Sequence, residues 1–310
     1  MSTGTERSSE EALSGQLPAI SADDEMNHGL SAPQDLRHKR IQPRKGFAAV
    51  DFQELWEFRE LLFFFIWRDI KVRYKQTLLG AAWAVIVPIS QMVVFSVFFG
   101  KLAGIKPGME GVPYAVFNFA ALLPWSLFAH GLTKSSNSLV ANAQLIRKVY
   151  FPRLYLPASG VLDGVVDFVI AFAVLLGMMI LGFGIYPTAN IIWIPFFLLL
   201  AIVSCLGIGC WLSAFNVYYR DVRHVVPFLI QTGMFVSPVV FPSSIVEAPW
   251  RTLYAVNPMV GVIEGFRWAL YGGGSLNGSM IVTSASVAIV LFVTGVFFVR
   301  RMECSFVDVV

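Results

Sequence analysis

The chain has 310 residues, of which 56% are hydrophobic and only 14% charged, with a net charge of +3. A soluble domain carries roughly a quarter of charged residues, so this composition argues against a soluble enzyme and indicates a protein whose solvent is lipid. The three cysteines, Cys205, Cys210 and Cys304, are scattered along the chain. Their spacing fits neither a disulfide framework nor a Cys/His zinc site.

Residues 1–45 are polar and rich in Ser, Glu, Asp, Gln and basic side chains. Such a segment buries too little apolar surface to order itself, so we predict a disordered cytosolic tail. No early apolar core is present, which argues against a cleavable signal. A basic cluster near the end of the tail acts either as a topology signal or as a contact for anionic headgroups or a partner. It consists of Arg37, His38, Lys39, Arg40, Arg44 and Lys45.

The segment 52–75 is amphipathic. Its unbroken apolar run, from Leu61 to Trp67, is far shorter than the roughly 20 residues that cross a bilayer. We therefore predict a helix lying in the membrane interface, although the amphipathic end of a first span is an alternative. The apolar residues that helical spacing places on one side are Phe52, Leu55, Trp56, Leu62, Phe63, Ile66, Trp67 and Ile70.

Long stretches without charge then predict six transmembrane helices. They lie between Lys75 and Lys101, between Glu110 and Lys134, in the two halves of 167–220, after Arg223, and from about 280 to 299. The fold class predicted is an all-α polytopic membrane protein, with residues 46–310 as a single transmembrane domain.

The distribution of basic residues predicts the orientation. With the N-terminus in the cytosol, only Lys101, Lys106, Arg251 and Arg267 of the 23 Lys and Arg residues fall on the outer side. Cytoplasmic loops carry the excess of Lys and Arg. Both termini are therefore predicted to be cytosolic.

The connection between the second and third spans is too polar to cross a membrane. Over about 137–151 we predict a short helix that ends before Pro152 and has on one face Asn142, Leu145, Ile146 and Val149. A helix of this kind suits docking into a partner's groove, whereas an ordinary interfacial loop fits the spacing equally well.

The connection between the fifth and sixth spans, about 248–272, carries strong helix signals. Asn257 followed by Pro258 favours a helix start, and the glycines from Gly272 favour a stop. The helix is too short to span, and a second short helix is expected from Pro249. We predict a re-entrant hairpin that is either a gate over a pore or a cap on the bundle. Within it, Glu264 and Arg267 are one turn apart and positioned to pair.

Motifs for chemistry are missing from the sequence. It contains no G-x-x-x-x-G-K-[ST], HExxH, CxxC or GxSxG, so we expect this chain to bind no ATP, metal or cofactor itself. Asp163 and Asp167 are exceptional because they lie four residues apart, on one helix face, near the start of the third span. They line a path, pair across a dimer, or pair with a nearby arginine such as Arg153.

Five sequence blocks, in order, resemble the permease subunit of polysaccharide-exporting ABC transporters of the O-antigen and teichoic-acid type. They are "FIWRDIKVRYKQTLLGAAWAVIVP" (65–88), "LIRKVYFPRLYLP" (145–157), "NVYYRDVRHVVPFLIQTGMFVSPVVFP" (216–242), "NPMVGVIEGFRWALYG" (257–272) and "FVRRMECSFVDVV" (298–310). The tail over 1–45 is not part of this pattern.

This resemblance implies a homodimer of permeases with two separate nucleotide-binding ATPase subunits, which hold ATP and Mg. It implies a location in the bacterial inner membrane among membrane lipids, a glycan on a polyprenyl-diphosphate lipid as substrate, and no nucleic acid as partner. The match to the family's coupling helix is Asn142 to Tyr150, and the match to its gate helices is Pro249 to Tyr271.

Three sets of site residues follow from the resemblance and from position. Coupling to the ATPase is expected of Asn142, Leu145, Ile146, Arg147, Lys148, Val149, Tyr150 and Phe151. Contact with the lipid diphosphate, or else with anionic lipid in general, is expected of Arg68, Lys71, Arg73 and Lys75. The channel and outer gate are expected to include Trp125, Phe128, Trp250, Tyr254, Glu264, Arg267 and Trp268.

Three other functions compete with this interpretation. The first is an ABC permease of the same fold for a drug or a small lipid. The second is a membrane-embedded transferase acting on polyprenyl lipid, which needs clustered acids from among Asp163, Asp167, Asp221 and Glu264. The third is a purely structural membrane scaffold.

Overall fold

The computed structural model describes residues 52–75, 82–109, 111–247, 250–272 and 277–302. The predicted tail with its basic cluster, the expected helix start at Pro249 and the residues from 303 onwards lie outside these ranges. Within them, every regular element is helical and none is a strand. The all-α class predicted from the sequence is confirmed.

The amphipathic segment forms two helices, α1 (Phe52–Glu57) and α2 (Arg59–Lys75), rather than one. α2 has apolar side chains on two sides. Phe65 is buried against the bundle, whereas Phe63 and Trp67 are exposed. Helical spacing had placed Phe63 and Trp67 together on one side but did not identify Phe65 as the inward contact. An aromatic-rich helix with a packed side and an exposed apolar side suits the membrane interface.

Within the described residues, five helices are long and apolar enough to cross a bilayer. They agree with the first four predicted spans and the last one. In chain order they are α3 (Trp83–Phe95, continued by π-turns to Leu102), α4 (Tyr114–Ala141), α6 with α7 (Tyr155–Leu162 and Gly164–Gly177, continued to Gly182), a 3₁₀ turn with α8 (Ala189–Trp193 and Ile194–Tyr218), and α12 (Gly278–Met302). The short α5, between α4 and α6, covers Ala143–Lys148.

The predicted fifth span corresponds to a shorter helix, α9 (Val222–Val236), of 15 residues. At 1.5 Å per residue it is about 22 Å long, less than the roughly 30 Å of a hydrocarbon core. α9 alone is therefore too short to cross the bilayer. Helix length supports five of the six predicted spans among the described residues and leaves the fifth one unsupported.

The connection predicted over 137–151 is divided between two helices. α4 continues through the first part of it to Ala141, and Asn142, with φ of −107°, interrupts the helix before α5 begins. α5 ends at Lys148, before Pro152 as predicted.

The connection between α9 and α12 contains α10 (Trp250–Tyr254) and α11 (Pro258–Tyr271). The side chain of Asn257 accepts a hydrogen bond from the N–H of Met259 at 3.1 Å, so it caps the helix. Gly272 ends the helix with φ of 73°, a left-handed conformation that glycine adopts readily. Both predicted boundaries of α11 are confirmed.

α4 is the central helix of the bundle. In its most apolar stretch 78% of the residues are buried, against 11% in the span that begins with α3. It packs against α3, α6, α7, α8, α9 and α11. α4 is therefore the scaffold on which the surrounding helices are positioned.

α8 and α12 approach each other closely through glycine. A Cβ atom added to Gly207 would lie 2.6 Å from the backbone nitrogen of Phe292, and one added to Gly295 would lie 2.4 Å from the carbonyl oxygen of Gly207. Small residues at such crossings let helix backbones pack within membranes.

Candidate functional site

The coupling segment is anchored to the bundle by two apolar side chains. Ile146 in α5 and Phe151 just after it are buried, and the ring of Phe151 meets the ring of Phe65 edge-on at 5.6 Å. They belong to an apolar group that we call the basal cluster. Its members are Phe65, Leu139, Ile146, Phe151, Tyr155, Leu156, Cys210, Ala214, Val296 and Val299.

The basal cluster joins α2, α5 and the spans α4, α6, α8 and α12. Tyr155 adds a hydrogen bond from its hydroxyl to the backbone carbonyl of Leu55. A force applied to α5 therefore reaches both the interface helix and the transmembrane bundle through direct packing.

Four of the eight residues predicted for ATPase coupling are exposed. Arg147, Lys148, Val149 and Tyr150 are exposed, whereas Asn142 and Leu145 are half-buried and Ile146 and Phe151 point inward. The surface offered by this segment thus has two cations and two apolar side chains, and its buried residues hold the surface in place.

The four cations predicted to contact a lipid diphosphate do not act as one group. Arg68 pairs with Asp69 at 2.9 Å, and its guanidinium lies 5.2 Å from the centre of the Phe65 ring. Lys71 and Lys75 are exposed, whereas Arg73 points into the bundle.

Arg73 binds both of the paired acids in the third span. Its guanidinium contacts Asp163, meets Asp167 at 2.5 Å and lies 2.7 Å from His130 Nε2, which is itself 3.0 Å from Asp163. Asp163 is fully buried. Of the roles left open for these acids, pairing with an arginine is the one observed. The partner is Arg73 rather than Arg153.

Tyr74 completes this group, which we call the Arg73 cluster (Arg73, Tyr74, His130, Asp163 and Asp167). The Tyr74 hydroxyl donates a hydrogen bond to Asp167. Burial, and then this hydrogen bond, raise the pKa of Tyr74 to about 12, so the phenol remains a donor at neutral pH. The cluster ties the end of α2 to α4 and to the α6–α7 span.

A cavity of about 330 Å³ adjoins the Arg73 cluster. Arg73, Tyr74, His130 and Asp167 lie at its polar end. The other lining residues come from α3, α4 and α7, and most of them are apolar: Trp83, Ala84, Val87, Pro88, Leu123, Ser126, Leu127, Gly164, Phe168 and Ala171.

The predicted pair Glu264–Arg267 forms, with Arg267 Nη1 at 3.1 Å from Glu264 Oε1. Arg267 is only 1% exposed and also donates to the carbonyl oxygens of Phe117 and Val239. Its guanidinium lies 3.5 Å from the centre of the Phe117 ring. Arg267 thus joins α11 to the start of α4 and to the chain that follows α9.

The aromatic residues predicted for a channel have different environments. Trp125 and Phe128 are buried in the core with ring centres 5.4 Å apart, and Tyr254 and Trp268 are half-buried. Trp250 is 65% exposed. In this conformation the Trp250 side chain can contact a passing ligand, whereas Trp125 and Phe128 become accessible only if helices separate.

Polar side chains on the free faces of α3 and α9 were missed by the sequence reasoning. Gln91 on α3 and Gln231 and Thr232 on α9 are exposed within otherwise apolar helices. Polar groups facing hydrocarbon are costly, so such a face indicates water or another protein surface. The sequence signal that could have identified these residues is a polar residue within an otherwise apolar run.

Comparison with known proteins places this architecture in a family. The sequence profile of the ABC-2 type transporter family matches residues 60–271, from α2 to the end of α11. An O-antigen export system permease protein of Myxococcus xanthus is 28% identical over 257 residues, which cover 81% of this chain and 96% of that protein.

Two further relatives have similar coverage. An O-antigen export system permease protein of Klebsiella pneumoniae is 27% identical, covering 78% of this chain and 92% of that protein. A polysialic acid transport protein of Escherichia coli is 23% identical, covering 76% and 91% respectively. The similarity therefore extends over nearly the whole of each relative rather than one motif.

Proposed function

This chain belongs to the ABC-2 type transporter family, and we propose that it is the membrane-spanning subunit of an ATP-driven polysaccharide exporter. Its substrate is a glycan on a polyprenyl-diphosphate lipid carrier, which it moves from the cytosol across the bacterial cytoplasmic membrane. The observation that carries the proposal is the similarity to O-antigen export permeases over 96% of such a relative.

The proposal includes six crossings, with both termini in the cytosol. Near one end of α4, Asn216 at the end of α8 donates to the Ser136 carbonyl. Near the other end, Tyr114 donates to the carbonyl of Val240, just beyond α9, at 2.7 Å. Ser136 and Tyr114 are about 33 Å apart along a helix, which is the thickness of a hydrocarbon core. α9 and the turn residues after it, as far as Val240, together therefore account for the fifth crossing.

A re-entrant path for α10 and α11 is supported by two contacts. The Ser284 hydroxyl, about 9 Å along α12 from its start at Gly278, donates to the carbonyl of Ala255 just before α11. At the opposite end of α11, the Leu270 carbonyl accepts from the N–H of Thr188, in the connection before α8. α11 thus starts within the membrane, beside the first turns of α12, and ends at the outer surface, beside the connection between α7 and α8.

The movement driven by ATP reaches this chain through α5. The sequence has no phosphate-binding loop, so ATP and Mg belong to a separate subunit that docks on the exposed Arg147–Tyr150 surface. ATP binding favours one of two arrangements of that subunit, and α5 moves with it. The basal cluster carries the movement to α2 and to the spans.

The path for the glycan lies between two copies of the chain. α3 and α9 both pack on α4 and leave their other faces free in one copy. Gln91, Gln231 and Thr232 on those faces offer hydrogen bonds without fixed charge. Such a surface suits a sugar chain that must slide rather than bind tightly.

The proposal is tested by ATP hydrolysis in a reconstituted complex. The chain is co-purified with its ATPase in lipid nanodiscs, and lipid-linked glycan extracted from the same cells is added. We expect the glycan to stimulate hydrolysis and the lipid carrier without sugar to do so less. Stimulation by small lipids or drugs but not by glycan would instead favour the small-substrate permease.

A further inference from the structure

The cavity beside the Arg73 cluster has two chemically different ends. Its body is apolar, with Trp83 and Val87 from α3 on one side and Leu127 and Phe168 on the other. Trp83 and Val87 are about half exposed, so this side opens along α3 rather than into the core. An apolar cavity is poorly suited to water and well suited to a hydrocarbon chain.

The polar end lies beside the start of a membrane-spanning helix, where lipid headgroups are expected. It is formed where the interface helix α2 ends, at Arg73 and Tyr74, close to the start of the first span at Trp83. A ligand that follows the cavity from one end to the other therefore has a polar head at the membrane interface and a tail among hydrocarbon. This is the geometry of a membrane lipid seated in its own leaflet.

Charge decides which headgroup is favoured. Among the described residues of the cluster, two carboxylates face one guanidinium, which already contacts Asp163, Asp167 and His130. The two carboxylates and the guanidinium together carry one excess negative charge. A phosphate or diphosphate placed against Asp167 is repelled, whereas an ammonium group is attracted.

We propose that this cavity is a binding site for a phospholipid with an ethanolamine head. One acyl chain occupies the apolar body and the ammonium group lies against Asp167. The proposal does not depend on which substrate the transporter carries.

The test uses photo-crosslinking in phosphatidylcholine nanodiscs. Two probes carry the same diazirine-bearing acyl chain, one with an ethanolamine head and the other with a glycerol head. We expect the ethanolamine probe to label the cavity walls around Leu127 and Phe168 more than the glycerol probe, by up to about fivefold, which is the ratio at the upper end of the range for one exposed ion pair.

Two substitutions on α3 provide the matched comparison. Val87→Trp fills the cavity mouth, whereas Val93→Trp adds the same bulk at a similarly exposed position that does not line the cavity. Val87→Trp should remove labelling of the walls and Val93→Trp should leave it unchanged. Equal labelling in both variants would overturn the site.

The headgroup assignment is tested separately with Asp167→Asn. This substitution should bring the two probes to equal labelling while the melting temperature shows that the protein remains folded. Equal labelling by both probes in the unsubstituted protein, or displacement of the ethanolamine probe by polyprenyl phosphate as readily as by phosphatidylethanolamine, would contradict the assignment. Export of glycan is not measured, so failure of this proposal leaves the proposed function untouched.

Discussion

Arg73 shows how one side chain fixes the junction between the interface helix and the spans. It is 23% exposed, and it forms ion pairs with the fully buried Asp163 and with Asp167. Removing one partner from a buried ion pair leaves a charge without compensation, and this costs more than the pair itself contributes.

Arg73→Ala is therefore expected to destabilise the protein by roughly 3 to 5 kcal/mol. The measurement is the melting temperature in detergent, and Lys71→Ala, at an exposed position on the same helix, is the control. Because an exposed charge contributes within about 0.5 kcal/mol, Lys71→Ala should melt like the unsubstituted chain. Similar melting of both variants would mean that the Arg73 cluster is not a structural tie.

Sequence spacing predicted the Glu264–Arg267 ion pair but not the pairing of Arg73 with Asp163. Glu264 and Arg267 are three residues apart, so helical periodicity alone brings them together. Arg73 and Asp163 are 90 residues apart and meet only through tertiary packing. For the same reason the buried positions of Trp125 and Phe128 depend on the bundle and were not available from local pattern.

At the scale of the helices, close packing of α8 on α12 depends on Gly207. Its Cβ position is occupied by the backbone of Leu291 and Phe292 in the neighbouring helix. Backbone cannot move aside as a flexible side chain can, so even one methyl group forces the two helices apart.

We expect Gly207→Ala to cost roughly 1 to 3 kcal/mol through overpacking. The matched control is Gly177→Ala in α7, where nothing lies within 4 Å of the added Cβ atom. Thermal unfolding of the two purified variants checks the prediction. An unchanged melting temperature for Gly207→Ala would show that α8 and α12 do not pack as described.

The coupling surface allows a test that separates docking from folding. Arg147→Ala with Lys148→Ala removes exposed side chains only, so the permease should fold normally but bind its ATPase less tightly. Ile146→Ala removes a buried side chain of the basal cluster and should instead destabilise the chain by roughly 2 to 5 kcal/mol. Co-purification of the ATPase, together with melting of the permease alone, distinguishes the two effects. Normal ATPase binding by the first variant would exclude this surface as the dock.

Helix boundaries were predictable where local chemistry decides them and not elsewhere. Asn257 and Gly272 mark the ends of α11 through a cap and a left-handed residue, both properties of single residues. The break between α1 and α2 and the inward position of Phe65 were missed, because apolar residues surround that segment and periodicity gives no preferred side. The length of α9 was also missed, since charge gaps measure distance along the sequence rather than helix length.

For the molecule as a whole, the free faces of α3 and α9 predict a channel between two copies. In a variant with Cys304 replaced by serine, Gln231→Cys should react with a charged maleimide while ATP is hydrolysed. Leu199→Cys, exposed on α8 among apolar residues, should stay unreactive because it faces lipid. The reagent requires water to reach the thiol, so equal reaction at both positions would contradict a water-filled path along α9.

The central claim is that this chain carries lipid-linked polysaccharide out of the cytosol, and the most direct measurement is the location of that glycan when the protein is depleted. Lipid-linked glycan is extracted from depleted cells and divided by its protection from glycosidase added outside the cytoplasmic membrane. The account predicts that polymer accumulates on its lipid in the protected, cytosolic pool and disappears from the surface. Normal surface glycan without any cytosolic accumulation would contradict it.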